Sequence, residues 1–243
     1  MPRALTRAAK AAASKFNVEI GRPGPNRHAQ RAMLLRHLAV DLVLDVGANI
    51  GQYAGTHLRE WTRYEGRIAS FEPVSACYAQ CAAAAAVDPN WTTYAYGLSD
   101  TERTASITVP AGQEDLSSLH GFTATGGKMV ETTTTSAEQV SLRRLDDVIG
   151  DVARADDLLA LKIDVQGHEV AVLRGAHRTL ERVVLVECEM PLVRMYDGQE
   201  TFAELLDLLA AAAFSPVGMQ SNYIDAATGY AMDADVFLVR HPR

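Results

Sequence analysis

The residues best equipped for chemistry lie in "LKIDVQGHE", residues 161–169. Lys162 and Asp164 sit two apart in an apolar run that reads as a strand, so both face one side. A lysine there is costly to bury alone, and a nearby carboxylate is expected. His168 follows at the start of the next helix, with an ordinary pKa close to neutrality. Glu187 and Glu189, again two apart, close the next apolar run and share a face. Such a set can help a poor nucleophile, such as a hydroxyl, to lose its proton in two ways. His168 can act as a general base. Alternatively, Asp164 with Glu187 or Glu189 can hold Mg²⁺ through oxygen ligands and lower the pKa of the hydroxyl. The histidine is favoured, because the carboxylates already have Lys162 as a partner. The competing readings are structural: His168 as a helix cap or surface residue, and the glutamates as ion-pair partners of Lys162 or Arg194.

A second constellation, "LDVGANIGQY" (44–53), defines what these groups act beside. An apolar run ends at Asp45-Val46-Gly47, and Ala48 to Gly51 lead into a helix. Glycines in such a turn let the backbone approach a ligand, and the helix start offers free N–H groups. Dinucleotide binding needs G-x-G-x-x-G so that pyrophosphate can reach the helix terminus. Here Asn49 occupies the middle position and Asp45 would repel a pyrophosphate. An acid and an amide suit a cationic ligand that carries an amino acid, and S-adenosylmethionine is one. Glu72 closes the next strand, where a carboxylate can accept both ribose hydroxyls.

Elements must hold these residues at one edge. Apolar runs at 41–46, 67–72, 92–97, 158–164 and 183–189 read as strands, most of them separated by helical patterns. That alternation predicts an α/β fold with a mostly parallel sheet, right-handed crossovers and helices on both faces. "SPVGMQ" and "DVFLVR" (235–240) predict a closing antiparallel pair. Ligands in such sheets sit beyond the carboxyl ends of the strands. The Gly/Ser/Thr-rich stretch 111–139 is either disordered or a functional loop over the site, mobile without ligand and ordering over the acceptor.

The motifs "DVGANIGQY", "FEP", "GLSD", "SSL", "LDDVI" and "LKIDVQGHE", in that order, resemble the FkbM family of S-adenosylmethionine-dependent methyltransferases. The resemblance runs from about Leu42 to Leu192, with "DVFLVR" echoing the family's last strand. It implies a class I methyltransferase fold, Rossmann-like, with a seven-stranded sheet, and methyl transfer to a hydroxyl oxygen. It further implies acceptors such as sugars of glycolipids or oligosaccharides, or polyketide natural products. The cofactor turn would fall on Asp45, Gly47, Asn49 and Gly51, the ribose acid on Glu72, and the adenine neighbours on Leu98 and Ser99. Asp164 would face both cofactor and acceptor, with His168 and Glu187 beside it as catalytic residues. Gln166 departs from the family's usual "DVEG", which puts any duty of that glutamate in doubt.

The 243 residues, 48% apolar, are enough for one core. Residues 1–36 carry eight Lys/Arg against the single Glu19, a balance of +7 that leaves −14 for the remainder of a chain whose net charge is −7. The expected organisation is a basic helical extension at 1–36 and a single methyltransferase domain at 37–243. The extension could touch an anionic membrane surface. The acidic body argues against nucleic acid as partner. No apolar run approaches the roughly 18 residues of a membrane span, and the Ala/Arg-rich start has no secretory core. Cys77, Cys81 and Cys188 suggest no disulfide framework and fit buried thiols in a reducing cytoplasm. Two other functions compete: a cofactor-binding module without turnover, and an NAD(P) oxidoreductase.

Overall fold

The structure, a computed structural model, describes residues 27–130 and 132–241. Helix α1 (Arg27–His37) leads into β1 (Leu42–Val46), helix α2 (Tyr53–Thr62) into β2 (Arg67–Phe71), and α3 (Ser75–Ala85) into β3 (Trp91–Tyr94). Then come β4 (Gly97–Leu98), β5 (Arg103–Pro110), β6 (Thr135–Arg143), α4 (Leu145–Val152) and β7 (Leu159–Ile163). Helix α5 (Glu169–Gly175), β8 (Val183–Pro191), α6 (Phe202–Ala211), β9 (Phe214–Ser221) and β10 (Asp233–Arg240) complete the chain. Seven strands form one sheet in the order β3-β2-β1-β7-β8-β10-β9, and β4-β6-β5 form a small second sheet. The first five strands of the large sheet run parallel, and β10 is antiparallel to both its neighbours. The expected parallel sheet with an antiparallel closing strand is therefore present.

The central strands β1 and β7 are buried at every residue, which is why their sequences are nearly all apolar. Side chains alternate across them. Leu42, Leu44, Val46, Leu159, Leu161 and Ile163 pack one face with Leu173 and Leu205. Val43 and Ala160 pack the other with Tyr53, Leu58 and Leu185. Asp45, Lys162 and Glu187 follow on this second face and are register neighbours across β1, β7 and β8. A row of alternating charge thus crosses the sheet just below its carboxyl edge.

Three elements depart from the sequence reading. The strand expected at 92–97 splits, because Gly97 and Leu98 leave the large sheet to pair with β6. The helix expected to start at His168 is short and stops at Gly175, where a side chain would overlap the Ser99 carbonyl. The domain boundary drawn at residue 36 falls inside the packed body. Leu35 of α1 belongs to the core of the second face, and Arg31 is buried. Residues 1–26, which carry the rest of the basic segment, lie outside the described residues. No helix among the described residues is long and apolar enough to cross a membrane.

Candidate active site

A cavity of about 600 Å³ opens beyond the carboxyl ends of β1, β2, β7 and β8. On one side it is an apolar slot made by Pro73, Val74, Leu98, Ile107, Leu119 and Leu142. On the other it is polar, with Gln52, His57, Gln220, Ser221, Asn222 and Asp235.

The glycine turn forms its floor. Gly47 has φ +76°, and a side chain there would overlap the Asp164 carbonyl, so the loops after β1 and β7 touch through backbone. Asn49 also adopts a left-handed conformation, φ 48°, and its Oδ1 is buried with no hydrogen-bond partner among the described residues. Glu72 lies beside it, accepting the Asn49 N–H on Oε2 and the Val74 N–H on Oε1, each at 2.8 Å. Burial pushes the Glu72 carboxyl up to about 7 against the pull of these N–H groups. Gly51 does not reach the cavity. Its place is behind the turn at φ +87°, against the Trp91 ring.

Asp45 is likewise behind the wall rather than on it. It is fully buried, accepts the Ser70 hydroxyl at 2.9 Å, and lies 3.3 Å from the Lys162 ammonium. Lys162 donates to the Gly47 carbonyl at 2.8 Å and sits 3.6 Å from Asp164. Burial alone would lower its pKa, but Asp45 and Asp164 overcome this and hold it raised. The expected carboxylate partner of Lys162 is therefore present twice over. The lysine ties the glycine turn to both acids.

Glu187 meets neither Lys162 nor Arg194 by hydrogen bond. Arg31 of α1 grips both of its oxygens, with Nε 2.7 Å from Oε2 and Nη2 on Oε1. The Tyr53 hydroxyl donates to Oε2 at 2.7 Å. Arg31 thereby adds a fourth charge to the row and extends its alternation. Sequence reading missed Arg31, which stands unmarked in a run of basic residues.

Gln166 is the hub of the next layer. Its Nε2 donates to Asp164 Oδ1 at 2.7 Å and to Glu189 Oε2 at 3.0 Å, while its Oε1 accepts the Tyr196 hydroxyl at 2.6 Å. The backbone of Gln166 is left-handed, φ 54°, and the loop around it is held by Glu169. Glu169 Oε1 accepts the N–H groups of Val165 and Gly167 at 3.3 and 3.1 Å. Burial pushes that carboxyl up to about 7. Of the two cation pairs considered, Asp164 with Glu187 has Glu187 engaged by Arg31 and Tyr53, and Asp164 with Glu189 has the Gln166 amide bridging the two carboxylates. No group of three or more His, Cys, Asp or Glu among the described residues is arranged to hold a metal ion.

His168 lines the cavity at the start of α5 without capping that helix through its ring. Its Nε2 lies 2.9 Å from the Ser99 hydroxyl and its Nδ1 3.2 Å from His120 Nε2. Burial, with His120 and Arg103 adding to it, pushes its pKa down to about 4. Both ring nitrogens are engaged, and the ring is neutral at pH 7 but less basic than an ordinary histidine. Ser99 faces this ring, while its neighbour Leu98 lines the slot.

Residues 111–130 bring Glu114, Asp115, Ser117 and Leu119 to the lining of the cavity. They are pinned by Ser118 Oγ on the Gln166 carbonyl at 2.6 Å, by His120 on His168, and by the Thr123 N–H on Met195 O at 3.0 Å. Phe122 and Met129 pack on a small cluster of Met195, Tyr196 and Met232. The stretch read as 111–139 is not loop throughout: residues 135–139 belong to β6.

Residues 45–216 match the family described as Methyltransferase FkbM domain, well over half of the chain. The chain belongs to the FkbM methyltransferase family. Among solved structures, the FkbM methyltransferase of Methylobacillus flagellatus KT is 15% identical with a TM-score of 0.50, over 82% of this chain and 43% of that one. This chain thus spans less than half of that protein's length. The magnesium protoporphyrin IX methyltransferase of Synechocystis PCC 6803 is 12% identical with a TM-score of 0.46, over 91% of this chain and 87% of its own. An rRNA methylase of Streptococcus thermophilus is 9% identical with a TM-score of 0.48, over 91% and 99%. None of the curated proteins compared matches the sequence. The fold is the class I methyltransferase fold.

An FkbM methyltransferase must accommodate S-adenosylmethionine, and this cavity has suitable chemistry for it. The unpartnered Oδ1 of Asn49 can accept from an amino group, Glu72 retains lone pairs for hydroxyls, and the apolar slot suits a flat base. The floor at Gly47 has no side chain in the way.

Proposed function

We propose that this FkbM methyltransferase is an O-methyltransferase acting on a hydroxyl of a sugar, as found in glycolipids or oligosaccharides, with a polyketide hydroxyl as the second acceptor class. The observation that carries the reading is the division of the cavity. An apolar slot near Glu72 adjoins a wall of amides, hydroxyls and carboxylates: Gln52, Gln220, Ser221, Asn222 and Asp235. Such a wall matches the dense hydroxyls of a carbohydrate, because each buried polar group of an acceptor needs a partner.

In this reading Gly47, Asn49 and Glu72 hold the methyl donor, with Leu98 in the adenine slot. Asp45, Gly51 and Ser99 support that half from behind. Asp164 stands where donor and acceptor meet. S-adenosylmethionine supplies a methyl group on a positively charged sulfur. The row Asp45–Lys162–Glu187–Arg31 fixes the carboxyl edges of β1, β7 and β8, so the donor and acceptor halves keep their spacing. Three buried free thiols fit a cytoplasmic setting.

Calorimetry with S-adenosylhomocysteine and with NADH tests the donor half. S-adenosylhomocysteine should bind and NADH should not. Glu72→Ala should weaken S-adenosylhomocysteine by well over tenfold, since a charged hydrogen bond contributes roughly 1.5–3 kcal/mol. Unchanged affinity would remove Glu72 from the donor site. Labelled methyl transfer to a panel of glycosides tests the acceptor half, and binding without transfer to any hydroxyl would leave a silent cofactor-binding module.

A further inference from the structure

If a hydroxyl is methylated, one group in the cavity must receive its proton, and the residues that sequence alone put forward are engaged elsewhere. Glu187 has both oxygens committed to Arg31 and Tyr53. His168 has both ring nitrogens beside other side chains. Asp164 holds Gln166 on one oxygen and faces the Lys162 ammonium with the other. Glu189 differs from all three. It lines the cavity at the carboxyl end of β8, and only Oε2 is bonded, to Gln166. Its Oε1 has no hydrogen-bond partner among the described residues.

We propose that Glu189 is the general base of this enzyme, and that Gln166 is the positioning residue that aims it. This rests on the O-methyltransferase reading above. Gln166 can do so because its amide is filled from both ends. Tyr196 donates to Oε1, which fixes the amide's orientation and points Nε2 at the two carboxylates. A glutamate at 166 would present an acceptor where two acceptors already stand.

In the transfer step the acceptor O–H bond breaks and its proton passes to Glu189 Oε1. The oxygen forms the new O–C bond, and the C–S pair stays on sulfur, so the positive charge of the sulfonium and the negative charge of the carboxylate vanish together. The surroundings of Glu189 favour receiving that proton. Asp164 of the β7 end, Asp233 and Asp235 of β10, and Glu169 of α5 face it, with the Tyr196 hydroxyl beyond Gln166. No cation is among the groups that act on it most strongly. Burial, then these acids, hold its pKa well above the ordinary carboxyl value.

The test uses the full chain with S-adenosylhomocysteine bound. Infrared titration should show a carboxyl that is ionised at the pH of turnover and takes up its proton, on acidification, at a higher pH than an ordinary carboxyl; Glu189→Gln removes that band and Glu187→Gln leaves it. Absence of that band, or its survival in Glu189→Gln, overturns the assignment without any acceptor. With labelled methyl donor and a panel of methyl pyranosides, Glu189→Gln should lower turnover by roughly 10²–10⁴-fold with S-adenosylhomocysteine affinity unchanged. Gln166→Glu should move the acidic limb of the rate profile to higher pH, since an added negative charge raises the pKa of the base. A Glu189→Gln enzyme with wild-type turnover, or an unmoved limb in Gln166→Glu, overturns it. Failure of the wild-type chain to bind S-adenosylhomocysteine would instead defeat the underlying reading.

Discussion

Replacing Arg31 by methionine should be among the most damaging single changes in the molecule. Met keeps most of the side-chain volume but removes the guanidinium that holds both oxygens of Glu187. The two side chains are 1% and 6% exposed, so the stranded carboxylate cannot turn to water. Breaking one partner of such a pair costs about 3–5 kcal/mol. The Tyr53 hydroxyl remains on Glu187, which argues for the lower part of that range. For a chain of this size each kcal/mol shifts the melting temperature by about 2–4 °C, so a fall of roughly 6–16 °C is expected. Urea and thermal melts of Arg31→Met, Glu187→Gln and the double variant form a cycle. The double should be more stable than the sum of the singles by up to about 3 kcal/mol, because it leaves no unpaired charge. An Arg31→Met protein within 1 kcal/mol of wild type, or a strictly additive double, would refute the claim that Arg31 belongs to the charge row.

Three more outcomes follow from the buried titratable groups and the lid. Glu169 holds its proton up to about pH 7 when folded, against an ordinary value of 4.5, so its contribution is full below 4.5 and is lost as pH rises towards 7. Glu169→Gln keeps the accepting Oε1 and should flatten that decline by on the order of 3 kcal/mol between pH 5 and 8; an unchanged slope in melts would count against it. His168 is depressed to about 4 from 6.5, so its contribution is present above 6.5 and fades as pH falls towards 4. His168→Gln should remove that acid-side loss while keeping turnover within about tenfold, and a loss of 10²-fold or more would restore the histidine as base. Hydrogen exchange at residues 113–119 should slow at least tenfold when S-adenosylhomocysteine is added, and equal rates with and without it would deny the loop any part in closing the site.

The fold was legible because apolar runs of five or six residues, fully buried in β1 and β7, have few alternatives once helical patterns separate them. The glycine turn was legible for a similar reason: few residues besides glycine tolerate φ +76° beside the Asp164 carbonyl. What escaped was pairing. Glu187 and Glu189 share a strand, a face, a residue type and the cavity, yet one has both oxygens locked by Arg31 and Tyr53 and the other has only Oε2 bonded. Nothing local distinguishes them, because the difference arrives with Arg31 from 156 positions away. The lowered pKa of His168 was illegible on the same ground, since it depends on burial and on His120 in a loop that sequence could only describe as open or ordered.

The fastening of the 111–130 loop has a consequence for how the methyl donor is spent. Ser118 clasps the carbonyl of Gln166, the residue whose side chain spans Asp164 and Glu189, and His120 clasps the start of α5. Lifting the loop to admit or release a molecule therefore loosens the support of the two carboxylates in the same movement. On the proposed mechanism the base is aimed only while these contacts hold, so water entering with the loop lifted would meet a site without its base. A methyl group is then safe from futile hydrolysis during the wait for an acceptor, and the protection comes from the latch itself rather than from any separate safeguard.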